Sequence, residues 1–211
     1  MKILVIGASK GTGALAVKAA LARGHEVTAF SRSPQKIGIT HDRLRFVAGS
    51  FHDAAAIEAV VPGHNAVLVT PGVDRLSVFK ETPDYFSRGT AFVVAAMQRS
   101  HVKRLVILSA LGSGDSRPLL AFPLRILLTS LILKPAYVDH DVQERLARQS
   151  GLEWVVARPS RLTDAPARGA YVKTKALVKV PGSITRADVA DFMLDAAEHD
   201  EWIGSNVQLG G

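Results

Sequence analysis

The chain has 211 residues, 47% hydrophobic and 21% charged, with no cysteine and a formal net charge of +7 at pH 7. That length can bury roughly 70% of its unfolded surface in one core without a disulfide or metal staple. The missing thiol excludes cysteine nucleophiles, disulfides and cysteine-ligated metals. The 7 histidines show no close ligand spacing, so no metal site is expected. The cations are scattered and do not interleave with aromatics, so the positive charge does not read as a nucleic-acid surface. Absence of cysteine fits a reducing cytoplasm, and the apolar run after Lys2 is too short for a secretory signal, so a cytoplasmic location is expected.

The first element is the apolar run Ile3-Leu4-Val5-Ile6, a short buried strand. Gly7-Ala8-Ser9-Lys10-Gly11-Thr12-Gly13 follows and opens into Thr12–Arg23, an Ala/Leu/Val-rich segment that predicts a helix stopped at Gly24. Strand, glycine-rich turn and helix together bring backbone N–H groups at a helix N-terminus to a pyrophosphate. The three glycines divide the work: one for the tight turn, one for close approach to the phosphates, one for packing the helix on the strand. Gly7, Ser9, Lys10, Gly11, Thr12 and Gly13 are therefore candidate dinucleotide contacts. The next strand, Val27–Ser31, ends at Arg32. No acid lies between Val27 and Thr40 to take a ribose 2′-hydroxyl. Arg32, Lys10 and Lys36 instead suit a 2′-phosphate, which carries roughly two negative charges. NADP(H) is the expected cofactor.

Further along, strands are predicted at Leu44–Ala48, Ala66–Thr70, Arg104–Ser109 and Trp154–Ala157, the last closed by Arg158-Pro159. Helices are predicted at Asp53–Val61, Asp84–Arg99 and Val138–Gln149, the last with Val138, Val142 and Leu146 along one side. Thr185-x-x-Asp188 reads as a capping box opening a helix over Arg186–His199, and Asn206–Leu209 as a final strand. This alternation predicts a single α/β domain over residues 1–211, a doubly wound parallel sheet of Rossmann-like type with flanking helices. In such sheets ligands sit beyond the carboxyl ends of the strands. That rule adds Ser50, Phe51, Thr70, Pro71, Gly72 and Pro159 to the candidate cofactor contacts, and marks Ser109–Ser113 as a further strand end at the site.

Pro118–Leu133 is the most apolar stretch, but Pro123 and Arg125 interrupt it and it falls short of a membrane span. A buried helix, a substrate-covering flap or a dimer face suits it better, and its place directly after the fifth strand favours a flap over plain core. Between Arg158 and Lys179 six cations (Arg158, Arg161, Arg168, Lys173, Lys175, Lys179) face one acid, Asp164. They read as a solvated rim or as a positive mouth for an anionic substrate.

The glycine spacing resembles that of the short-chain dehydrogenase/reductase superfamily. Asp139-His140-Asp141-x-x-Glu144, Ser150-Gly151-Leu152-Glu153-Trp154, Arg158-Pro159, Leu162-Thr163-Asp164, Gly169-x-Tyr171 and Ile184–Met193 resemble its atypical, NmrA-like branch. Within that branch the chain is most similar to the flavin reductase/biliverdin-IXβ reductase group, over nearly its whole length. The resemblance implies a Rossmann-like fold that binds NADPH and passes a hydride to a planar acceptor. It also implies an active-site role for Ser109 and a place near the nicotinamide for His140. Lys10 and Ser50 depart from the group, which has glycine and aspartate there.

The superfamily's tyrosine–lysine pair is missing, because Tyr137 is followed four residues later by Asp141. Tyr171-x3-Lys175 matches literally, but an extended chain would hold the two some 13 Å apart. His140, between Asp139 and Asp141, is expected to be held protonated. Ser109, with no G-x-S-x-G frame, is expected to donate a hydrogen bond to substrate. The expected activity is NADPH-dependent reduction of a flavin, quinone or tetrapyrrole-like ring; the alternative is a non-catalytic NADP(H)-binding regulator. Expected partners are that small acceptor alone, without nucleic acid or membrane, for a monomer or homodimer.

Overall fold

Eight strands form one sheet in the order β3-β2-β1-β4-β5-β6-β10-β8. They are β1 (Lys2–Ile6), β2 (Glu26–Ser31), β3 (Leu44–Ala48), β4 (Ala66–Val69), β5 (Arg104–Leu108), β6 (Glu153–Pro159), β8 (Val172–Thr174) and β10 (Ser205–Gly210). Every pairing is parallel except that of β8 with β10, where Gln208 lies opposite Thr174. This computed structural model describes residues 1–73, 77–120 and 133–211. The helices are α1 (Gly11–Ala22), α2 (Ala54–Val60), α3 (Val78–Glu81), α4 (Tyr85–Arg99), α5 (Lys134–Gln149) and α6 (Arg186–Glu198).

The central strands are buried on both faces and so read as unbroken apolar runs rather than alternating ones. Along β1, Ile3 and Val5 join the core under α1 and α6, whereas Leu4 and Ile6 join the core under α2 and α4. The chain winds from β1 outward to β3, then returns to the other side of β1 and continues through β4, β5 and β6. That reversal leaves a crevice between the carboxyl ends of β1 and β4.

The predicted doubly wound α/β sheet is the fold observed. Asp53 caps α2 by accepting from the N–H groups of Ala55 and Ala56, at 3.0 and 3.1 Å. Thr185 caps α6 as expected, accepting from Asp188 N–H at 3.0 Å. The reciprocal arm of the box differs: the Asp188 carboxylate receives the Thr185 hydroxyl and the N–H groups of Arg168 and Gly169. Those donors hold it below the usual carboxylate range against the opposing effect of burial.

Three expectations need correction. β6 runs on through Arg158 and Pro159, and a parallel pair, β7 (Arg161–Thr163) with β9 (Ser183–Thr185), was not foreseen. Helix α5 starts a turn earlier than predicted, at Lys134, and its apolar side is not its inner side. Val138 is 49% exposed, while Asp139, His140, Gln143, Glu144 and Ala147 are buried. Finally, Arg158 is fully buried, Lys173 pairs with Asp195 at 2.5 Å, and Lys175 donates to the Glu201 carbonyl. The basic stretch is therefore not a uniform solvated rim. The expected flap at Pro118–Leu133 lies, over residues 121–132, outside the described residues. Among the described residues no helix is long and apolar enough to cross a membrane.

Candidate functional site

A cavity of ≈ 580 Å³ opens at the crevice between β1 and β4. Its floor is the glycine turn. Gly7 has φ +89°, and a Cβ there would lie 2.7 Å from the Pro71 nitrogen, so only glycine lets the two loops diverge. Gly7 N–H donates to the Phe30 carbonyl at 2.9 Å, tying the turn to β2. Gly11 has φ +58°, and a Cβ added there would meet, among the described residues, only the Arg186 side chain, at 3.8 Å. Gly13 meets α1's need for close packing: a Cβ would overlap the Gly7 carbonyl and the Thr70 hydroxyl.

Helix α1 begins at this turn without a side-chain cap at Lys10 and without an acid in its first turn. Its first N–H groups and the positive end of its dipole therefore face the cavity, an arrangement suited to an anion. Cations surround it. Arg32 follows β2 at the cavity edge, Lys10 lines it from the turn, and Arg186 reaches in from α6 with its guanidinium 2.8 Å from Asp164. Ser50, Phe51, His52 and Tyr85 line the same cavity, His52 standing edge-on to Tyr85 with ring centroids 4.6 Å apart.

Leu108, Ser109, Ala110, Phe86 and His140 form another part of the wall. His140 stacks on Phe86 with centroids 4.1 Å apart and planes 14° from parallel. Its neighbouring carboxylates turn away from it. Asp139 accepts from the N–H groups of Phe86 and Ser87, at 2.5 and 3.0 Å, and so caps α4. Asp141 accepts from Gly114 N–H and from Arg117. Burial dominates and pushes the imidazole below its ordinary value, which favours the neutral ring over the protonated group expected.

Ser109 also departs from expectation. Its hydroxyl donates to Glu144 at 2.7 Å. Glu144 is fully buried and takes Arg158 in a two-pronged grip, Nε at 3.0 Å and a terminal nitrogen at 2.6 Å. Burial disfavours the Arg158 charge, but Glu144 and Asp115 outweigh it and raise its pKa. Ser109 thus sits in the wall with its proton already committed.

The structure brings Gly7, Ser9, Lys10, Gly11, Thr12, Arg32, Ser50, Phe51, Thr70, Pro71, Gly72, Ser109 and His140 to one cavity. It leaves Gly13 outside the lining, packed against the Gly7 carbonyl and the Thr70 hydroxyl, and Lys36 exposed on the turn Pro34–Ile37, also outside. Pro159 also lies outside, in β6, where its carbonyl accepts from Leu111 N–H at 2.9 Å. None of the six cations between Arg158 and Lys179 lines the cavity, although Leu162 and Asp164 do. Sequence reasoning missed His52, Tyr85, Phe86, Asp164 and Arg186 as wall residues. Asp164 and Arg186 lie in the segments Leu162–Asp164 and Ile184–Met193 that carry the resemblance but had no site role there, and His52, Tyr85 and Phe86 carry no motif; all five reach the site only through packing of distant segments.

Tyr137 donates to the Leu111 carbonyl at 3.3 Å, and burial raises its pKa. Tyr171 bonds to Asp191 outside the cavity, and burial together with that carboxylate pushes its pKa up. Neither tyrosine meets a lysine as a proton-donating pair. Among the described residues no group of three or more His, Cys, Asp or Glu side chains could hold a metal.

Residues 7–200 match the family described as NAD(P)H-binding. The chain belongs to that family. Two Bacillus subtilis (strain 168) relatives are similar in sequence. YwnB, an uncharacterized protein, is 29% identical over 95% of this chain and 94% of its own. YhfK, an uncharacterized sugar epimerase, is 26% identical over 65% of this chain, and the match spans only 59% of YhfK. Among solved structures, a short-chain dehydrogenase/reductase from Veillonella parvula in complex with NADP superposes with TM-score 0.80 at 18% identity, covering 100% of this chain and 94% of that one. ChuY, an anaerobillin reductase from Escherichia coli O157:H7, also superposes with TM-score 0.80, at 22% identity over 100% and 97%. These structural likenesses place the NAD(P)H-binding chain in the Rossmann-like fold.

Proposed function

We propose that the protein is an NADPH-dependent reductase that delivers a hydride to a planar conjugated acceptor: a flavin, a quinone or a tetrapyrrole-like ring. One observation carries the reading. The cavity runs from an uncapped helix N-terminus lined by Arg32, Lys10 and Arg186 to a wall of Phe86, His140 and Ser109, where, among the described residues, the tyrosine–lysine proton-donating pair is missing. In this reading the α1 N–H groups and Arg186 hold the pyrophosphate, Arg32 and Lys10 the 2′-phosphate, and Ser50 and Phe51 the adenine side. Thr70–Gly72 border the nicotinamide, which faces Ser109 and His140. The NADP complex of the Veillonella protein and the bilin-type activity of ChuY support the cofactor and the acceptor class.

NADPH supplies the hydride and leaves as NADP⁺. A conjugated ring that accepts it spreads the added charge and takes its proton from water. An isolated ketone cannot, because its developing alkoxide needs a positioned acid, a contribution of roughly 10²–10⁴-fold. Following NADPH absorbance with riboflavin, a water-soluble quinone and cyclohexanone tests this. Turnover on the first two with little on the ketone is expected. Tight NADPH binding without oxidation by any acceptor would replace the reductase with a non-catalytic NADP(H)-binding regulator. Efficient ketone reduction would overturn the account of the missing acid.

A further inference from the structure

Three polar side chains of the cavity lining, Ser109, Thr70 and His140, share one property: each has a protein acceptor for its proton. Ser109 is 5% exposed, and its hydroxyl lies 2.7 Å from Glu144 Oε1. That carboxylate already faces the Arg158 guanidinium and can only accept. The serine hydrogen therefore sits on the line to Glu144, and its lone pairs are what the cavity meets. Thr70, 5% exposed in the same lining, likewise donates its hydroxyl to the Ile6 carbonyl at 2.8 Å. For His140, the Gln143 amide nitrogen donates to Thr90 Oγ1 at 3.0 Å, which turns the Gln143 oxygen toward His140 Nδ1 at 2.8 Å. The proton of the neutral ring is thereby fixed on Nδ1, and Nε2 is left as an acceptor.

Donors and acceptors are thus segregated. Backbone N–H groups and cations serve the phosphate end, and acceptors serve the ring end. We propose that Ser109 Oγ and His140 Nε2 select an acceptor substrate that presents N–H or O–H donors on its conjugated ring, such as an imide, lactam or pyrrole N–H. A carbonyl or carboxylate oxygen in the same place would face lone pairs and lose its water without replacement. This rests on the reductase reading for what happens to the ring, but the recognition itself is a property of binding.

The test compares lumiflavin, which carries an imide N–H, with 3-methyllumiflavin, which lacks it. Both are titrated into the full chain saturated with NADP⁺, and both are offered as acceptors to the NADPH-loaded protein. Lumiflavin should bind about tenfold more tightly, the size of one lost hydrogen bond to a buried acceptor. The preference should fall below about threefold in Ser109→Ala or in His140→Phe, the latter keeping the stack on Phe86. Glu144→Gln, if circular dichroism shows it folded, should also erase the preference, because the amide can donate to Ser109 and turn its proton into the cavity. Equal binding of the two flavins, a preference untouched by Ser109→Ala and His140→Phe, or failure of both flavins to bind would each overturn the proposal. A preference that persists in the NADP⁺ complex without NADPH oxidation would refute the reductase and leave the recognition standing.

Discussion

Arg32 and Arg186 both line the cavity above the glycine turn, and in the proposed reading their substitutions separate two phosphate groups. A hydrogen bond to a charged group contributes roughly 1.5–3 kcal/mol. Arg32→Ala should therefore weaken NADPH binding about tenfold to a hundredfold while leaving NADH nearly unchanged, because only NADPH has the 2′-phosphate. Arg186→Ala should weaken both cofactors alike, because the pyrophosphate is common to both. Fluorescence titration of each variant with each cofactor decides the assignment, and a uniform loss in Arg32→Ala would remove it from the 2′-phosphate. That Arg32 lines the cavity was legible from its place at the end of the second strand. Arg186 was not, since its position beside Gly11 is set by the packing of α6 on α1.

At the level of elements, α1 and α5 make contrasting demands on their residues. The close approach of α1 to β1 depends on Gly13, and a branched side chain there would overlap the Gly7 carbonyl and the Thr70 hydroxyl. Gly13→Val should abolish cofactor binding and lower the thermal midpoint together; a well-folded variant that binds NADPH normally would refute the placement of the site. Helix α5 buries charge instead of oil. Removing one partner of its Glu144–Arg158 pair leaves an uncompensated buried charge, so Arg158→Ala should cost about 3–5 kcal/mol in denaturant unfolding. Glu144→Leu combined with Arg158→Met should recover most of that loss. Local glycine and apolar patterns announced α1 well. They misled for α5, because the stripe Val138, Val142 and Leu146 is left exposed at Val138 and only half-buried at Val142 and Leu146, while Asp139, Gln143 and Glu144 find buried partners on α4 and β6.

The whole molecule should be acid-sensitive for a reason that lies in its histidines. Burial is the main cause that lowers both His140 and His64, so each binds protons more weakly folded than unfolded. Between the ordinary histidine value near ~6.5 and their lowered folded values, the unfolded chain carries more protons. Stability is therefore full above that value and falls as pH drops below it. Asp188 and Asp195, held down mainly by hydrogen-bond donors against burial, add their losses only further down, as pH falls through the carboxylate range. Thermal melts should show a flat midpoint from pH 8 to about 7 and a decline toward pH 5. A midpoint that is unchanged at pH 5 would mean that the two rings are accessible to protons in the folded state.

The sequence by itself determined the parallel sheet, the glycine turn, the helix that follows it and the carboxyl-edge place of the cavity. Each of these follows from apolar runs, from positive-φ glycines or from residues adjacent in the chain, and such local chemistry is complete before the chain folds. Tertiary structure alone decided the charge of His140, the direction of the Ser109 proton and the burial of Arg158. It also set Lys36 and Pro159 outside the cavity and brought His52, Tyr85 and Arg186 into it. Those properties depend on which distant group lies within about 3 Å and on how much water remains, and desolvation and hydrogen-bond partnership arise only when separated segments pack.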